Sequence, residues 1–179
     1  MGLMEHAIWW QVYPLGATGA PIRGGHGLPA HRLTRLEAWL DYLVELGCNG
    51  LLLGPVFESV SHGYDTLDHY RIDPRLGDDA DFDRLVAEAR SRGIHVMLDG
   101  VFNHVAREHR LVTERPELIR HRDGRPAGWE GHDSLVELDH EQPAPAQQQR
   151  GRGEHLSHHH EAVGPAEERH LGVVHGHLG

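Results

Sequence analysis

Two short stretches hold the residue types and spacing from which a site could be built. The first runs Ile94-His95-Val96-Met97-Leu98-Asp99-Gly100-Val101-Phe102-Asn103-His104. It is a brief apolar run that ends in a carboxylate, then a small turn, then an amide and an imidazole side by side. A carboxylate accepts hydrogen bonds, and an imidazole can donate or accept them. A charged group does not sit unpaired inside a buried strand. Asp99 is therefore expected where the strand leaves the core, which is the edge at which parallel α/β architectures bind ligands. The second stretch is Gly63-Tyr64-Asp65-Thr66-Leu67-Asp68-His69-Tyr70. A tyrosine beside a carboxylate suits a ligand with an apolar face and a polar rim. An ordinary loop with a turn-forming glycine has the same composition.

Other reactive types are less well placed. Cys48 lies in an apolar segment, where a small core residue is the simpler reading than a nucleophile. As the single cysteine it excludes an internal disulfide. His155, His158, His159 and His160 cluster near the C-terminus. Metal sites need histidines held in fixed geometry with supporting partners. A flexible tail supplies neither, so weak metal adhesion is expected there rather than a built site.

The elements that must position these residues follow from periodicity. Ala7 to Tyr13 reads as a strand stopped by Pro14. Residues 16–31, rich in Gly, Pro and His, read as a loop. Thr34 to Leu46 reads as a helix with Leu36, Leu40, Leu43 and Val44 on one face and Gly47 as its stop. Gly50 to Pro55 is a second buried strand. Asp79 to Arg92 is a second helix, capped by Asp79 or Asp81, with Phe82, Leu85, Val86 and Ala89 inward and Gly93 ending it. The run from Ile94 to Leu98 is a third strand, short and β-branched at Ile94 and Val96. This order predicts a parallel sheet with right-handed crossovers. Residues 105–139 read as polar and irregular, with one short helical candidate around Pro116 to Arg120.

Asp99-Gly-Val-Phe-Asn103-His104 resembles the D-x-V-x-N-H signature of the α-amylase family, glycoside hydrolase family 13. Gln11-Val-Tyr13-Pro14 resembles the end of that family's first barrel strand. Pro55-Val56-Phe57 resembles the end of its second strand. Gly63-Tyr64-Asp65 with Asp68-His69-Tyr70 resembles a further landmark. The resemblance runs from about Ile8 to Ala144. It implies an α/β fold, a partial (β/α)8 TIM barrel made of the first three β/α units plus the start of an inserted small domain. The expected divisions are 1–104 for the barrel part, 105–144 for the insert and 145–179 for a His- and Gly-rich tail without structure.

The resemblance implies roles. Tyr64 would stack on a glucose ring, Asp65 would bond its far hydroxyls, His104 would bond a sugar hydroxyl, and Asp99 would brace the site. Asn103 stands where many α-amylases bind calcium; the family's chemistry needs no cofactor. The implied ligand is an α-linked glucoside or maltooligosaccharide. A retaining glycosidase needs two carboxyl groups about 5–5.5 Å apart on opposite sides of the scissile bond. In the family these follow the fourth and fifth strands, and no segment here resembles them. Asp99 with Asp65 would lie on one side of the ring, the wrong arrangement for acid and nucleophile. The chain is therefore expected to be the inactive fragment of a glycosidase. A non-catalytic sugar-binding remnant, a transferase or isomerase parent, and a metal-handling tail on an inert domain are the rival readings.

Composition sets outer limits. The 179 residues suffice for one domain, short of the roughly 250 of a complete barrel. The formal net charge is −10, and all 17 basic residues are arginine. That balance argues against nucleic acid as a partner. No apolar run is long enough to span a membrane. The N-terminus lacks the basic and apolar regions of a signal peptide, so a cytoplasmic location is expected. From Glu141 onward there is no aromatic residue, Ile, Met, Lys or Asp, and 7 of the 18 histidines fall there. Out-of-frame translation starting near Ala144 accounts for such a composition. Three strands and two helices would leave an open sheet edge, so marginal stability and aggregation are expected.

Overall fold

The structure, a computed structural model of the chain, describes residues 6–25, 27, 29–141 and the backbone of 172–175. Strand β1 is Trp9–Val12, and Pro14 stops it by opening a short helix, α1, Pro14–Ala17. The helix expected over 34–46 appears as two pieces, α2 at Thr34–Glu37 and α3 at Leu40–Glu45. Between them Trp39 N–H bonds the carbonyl of Leu36, an i→i+3 turn that tightens the chain. Leu36, Leu40 and Leu43 still share one buried face; Val44, expected on it, is 46% exposed.

Strand β2, Gly50–Leu53, runs parallel to β1 with Trp9 opposite Gly50. A Cβ at Gly50 would lie 2.4 Å from the Trp9 ring, so only glycine fits under that indole. Next comes an antiparallel hairpin of β3, Phe57–Ser59, and β4, Thr66–Ile72. Helix α4, Asp79–Ser91, follows. Its N-cap is Asp78 rather than the expected Asp79 or Asp81. Asp78 accepts from Asp81 N–H, and Asp81 reaches back to Asp78 N–H, a reciprocal capping box. Leu85, Val86 and Ala89 are buried, and Gly93 at φ 73° closes the helix.

Strand β5, His95–Gly100, pairs in parallel with β2. Asp99 lies inside this strand, at its penultimate position, rather than beyond it. The core sits between the sheet and the helices. Leu33, Leu43, Leu53 and Leu85 have no exposed surface, and Leu51 and Ile94 have almost none.

Residues expected to be irregular form a second small unit. Strand β6, His104–Ala106, crosses the expected boundary at 104/105. It is followed by α5, Leu111–Glu114, a 3-10 turn at Pro116–Leu118, and the paired β7, His121–Arg122, and β8, Arg125–Pro126. Strands β9, Gly128–Trp129, and β10, His132–Glu137, complete an antiparallel sheet ordered β6-β10-β9. Val105, Ile119 and Val136 form its own buried cluster.

The two hairpins turn on Asp123-Gly124 and Glu130-Gly131, all four at positive φ. Such two-residue turns match the twist of the strands they join. Asp-Gly was a readable signal for the first of them. A last strand, β11, Gly172–His175, pairs in parallel with β5, giving the order β1-β2-β5-β11. The rest of the segment expected to be without structure, including His155, His158, His159 and His160, lies outside the described residues. Among the described residues no helix is long and apolar enough to cross a membrane.

Candidate functional site

The site gathers at the C-terminal end of β5. The hairpin loop between β3 and β4 delivers Tyr64 to it. Gly63, at φ 95°, makes the required turn, and a Cβ there would come within 3.0 Å of Pro55. Tyr64 Oη donates to Asp99 Oδ2 at 3.1 Å. Its carbonyl oxygen accepts from His104 Nε2 at 2.9 Å. One residue thus ties the end of the barrel strand to the start of the insert, and Tyr64, Asp99 and His104 come together as expected.

Asp65 is bonded within its own loop. Its Oδ1 accepts from Ser61 N–H at 3.1 Å and its Oδ2 from Ser61 Oγ at 2.5 Å. The buried carboxylate is turned onto its own loop, where it holds the backbone that presents Tyr64. Asn103 is half-buried, and its carbonyl accepts from Leu138 N–H at 2.9 Å, a tie to the insert. Three metal-capable ligand atoms do converge among the described residues, at His31, Asp78 and Asp81. That group excludes Asn103, and Asp81 there is already engaged by Arg84, His31 and the helix cap.

Burial sets the protonation states. Desolvation raises the Asp99 carboxyl above its ordinary range, and the Tyr64 hydrogen bond only partly opposes this. Desolvation and then the neighbouring Asp99 charge push the Tyr64 phenol up to about 12. Burial lowers His104, so its ring is neutral at pH 7. A carbonyl can only accept, so Nε2 carries the proton and Nδ1 is a bare lone pair. That lone pair is buried and has no partner among the described residues. Buried acceptors without partners are uncommon.

Several neighbours were not legible from spacing. Tyr13, at the end of β1, donates to the carbonyl of His62 at 3.0 Å and anchors the Tyr64 loop. His62 lies against the Tyr64 ring, with centroids 6.1 Å apart. Trp129 stacks on His104 with centroids 5.2 Å apart and planes 29° from parallel. Arg75, wholly buried, bonds Asp73, Ser59, the carbonyl of Ser61 and the carbonyls of Pro21 and Ile22. It fastens the loop of residues 16–31 behind the hairpin. The Asp73-Pro74-Arg75 sequence was its only local signal.

Chemically, the assembly offers one partly desolvated carboxylate, one phenol, one neutral imidazole with a free acceptor, and aromatic faces.

Residues 33–129 match the family described as alpha amylase, catalytic domain. The chain is 49% identical over 127 residues to a cyclomaltodextrinase of Geobacillus thermopakistaniensis, covering 59% of this chain and 20% of that protein. It is 52% identical over 67 residues to an intracellular maltogenic amylase of Bacillus subtilis, covering 37% of this chain and 11% of that one. The fold superposes on a maltogenic α-amylase from Thermotoga neapolitana with a TM-score of 0.67 at 23% identity, covering 85% of this chain and 36% of that structure. The chain thus spans a fifth or less of these two curated relatives' length.

Proposed function

The chain belongs to the α-amylase family of glycoside hydrolases, and on that footing we propose that Tyr64, Asp99 and His104 form one wall of a pocket for a glucose unit of an α-linked glucoside or maltooligosaccharide. The observation that carries this reading is the pair of hydrogen bonds made by Tyr64, whose hydroxyl donates to Asp99 and whose carbonyl accepts from His104. It leaves the ring of His104 held edge-on to the Tyr64 loop. In this reading Asp65 acts through Ser61 to hold the loop and does not grip the far hydroxyls itself. Asn103 is proposed as a calcium ligand on its motif position alone, and calcium takes no step in the reading.

The chain by itself binds sugar without hydrolysing it. A retaining glycosidase needs a nucleophile and an opposed acid. In this reading Asp99, bonded by Tyr64, and Asp65, bonded by Ser61, brace the site and supply neither role. Hydrolysis, rather than transfer or isomerisation, is the proposed chemistry of the intact lineage, supported by the hydrolase names of the two similar curated proteins. A cytoplasmic site of action belongs to the same reading, supported by the intracellular maltogenic amylase.

Two measurements test it. Calorimetric titration with maltose is expected to show binding that Tyr64→Ala abolishes; binding that survives that change overturns the pocket. A chromogenic α-glucoside assay is expected to show no turnover by the purified chain. Turnover that tracks the protein through purification overturns the inactive assignment.

A further inference from the structure

Strand β5 carries Asp99, yet β2 holds only part of it. The parallel register between the two begins with Gly50 opposite His95 and ends with Leu53 opposite Leu98. Asp99 and Gly100, the last two residues of β5, lie beyond it. Their ladder partners among the described residues are Val174 and His175 of β11. The same strand sets Gly172 opposite Met97 and Val173 opposite Leu98. Strand β11 is last in the order β1-β2-β5-β11 and lies outside residues 33–129, the part that matches the family.

A strand end without a ladder partner frays, because its backbone groups turn to water instead. Asp99 has to stay in place to accept the Tyr64 hydroxyl at 3.1 Å. Along a parallel strand, alternate residues turn their N–H and C=O to opposite neighbours. One set of β5 amides therefore faces β2 and the other faces β11. A long connection closes at little more entropic cost than a short one, so a segment distant in sequence can supply the missing partner.

We propose that residues 172–175 are a clamp on the end of β5 that positions Asp99, and through Asp99 the hydroxyl of Tyr64, so that docking of this C-terminal segment and assembly of the candidate site are one event. The grip is the backbone ladder from Gly172–Met97 to His175–Gly100. With it in place Asp99 sits within a paired strand rather than at a loose end. The clamp holds Asp99 in this way whatever ligand the pocket takes.

The test follows amide hydrogen exchange by NMR in the full chain, with Val173→Pro and Val174→Pro made separately. Proline has no N–H to give to a ladder. Of two adjacent strand residues only one turns its N–H toward β5, and proline is tolerated where the N–H faces away from the sheet. One variant is therefore expected to release β11 and the other to keep it. In the releasing variant the β5 amides that face β11 are expected to exchange about tenfold faster or more, while those bonded to β2 keep their rates. The Asp99 carboxyl is expected to titrate lower there, since the burial that raises it is relieved. Val174→Ile, which keeps the N–H, is expected to match the unsubstituted chain. Unchanged exchange in both proline variants, or equal effects of the two, overturns the clamp. So does faster exchange of the amides facing β2, which marks general loosening, or an Asp99 midpoint that ignores release. None of these readouts uses a sugar, so failure of the clamp and failure of the pocket reading are told apart.

Discussion

Arg75 and Asp73 meet in a two-point ion pair buried from solvent, with Nε 2.8 Å from Oδ1 and Nη2 2.5 Å from Oδ2. Taking one partner away leaves an uncompensated buried charge, at a cost of about 3–5 kcal/mol. Asp73→Asn is therefore expected to lower stability by that order in urea melts. It is also expected to expose residues 16–31 to protease, since Arg75 holds the Pro21 and Ile22 carbonyls. A loss under about 1 kcal/mol would show that the pair is dispensable.

Acid is expected to weaken the fold through His109. Burial, with the adjacent His69, lowers this imidazole from 6.5 to about 4, while Asp68 and Arg110 act in opposite directions on it. Its Nδ1 accepts from Leu111 N–H at 3.0 Å, which leaves a buried Nε2–H without a partner. The unfolded chain takes up this proton first as pH falls. The stability tied to the neutral ring is complete above about pH 6.5, declines toward pH 4, and is gone below, a span on the order of 3 kcal/mol. His109→Asn keeps a side-chain acceptor and removes the titration. Melting temperatures across pH 7 to 4 are expected to fall less steeply in that variant, and parallel curves would rule His109 out.

Removing the Tyr64 hydroxyl is expected to move Asp99. The hydrogen bond from Tyr64 lowers the Asp99 carboxyl, against the larger upward effect of burial. In Tyr64→Phe only burial remains, so Asp99 should titrate at a higher pH than in the unsubstituted chain. Carboxyl carbon NMR shifts followed through an acid titration read this directly. An unchanged midpoint would mean that the two groups are uncoupled in solution.

An exposed aromatic face is expected to drive self-association. Trp39, Tyr42 and Leu46 lie at i, i+3 and i+7 along α3 and its two caps and are 49%, 47% and 50% exposed. Glu37 and Asp41, on the opposite side, pair with Arg84 and Arg92 of α4. Trp39 also lies against Trp10 of β1, at the end of the sheet order, with centroids 6.4 Å apart. Apolar patches of this kind promote association. Trp39→Gln with Tyr42→Gln should shift sedimentation toward monomer while changing stability by no more than about 0.5 kcal/mol, as surface substitutions do. Sedimentation that does not respond would place the sticky surface elsewhere.

Local signals determined much of this protein. The apolar runs at Gly50–Leu53 and Ile94–Leu98, the Leu36–Leu40–Leu43 stripe and the glycines at 47 and 93 spelled out strand, helix and strand in order. A strand's period and a helix's stops are written in neighbouring residues. Tyr64 fell in one family landmark and Asp99 with His104 in another, and the tertiary structure brings those three together. What the fold alone decided depends on residues distant in sequence. Ser61, bent back by the hairpin, bonds both oxygens of Asp65, a contact that the run Gly63-Tyr64-Asp65 does not announce. The insert looked irregular because its strands are two to six residues long and find partners only across the sheet. Trp129 had no local mark at all. Only the pairing of β6, β10 and β9 puts its ring on His104, because strand register is set by contacts that no short window of sequence contains.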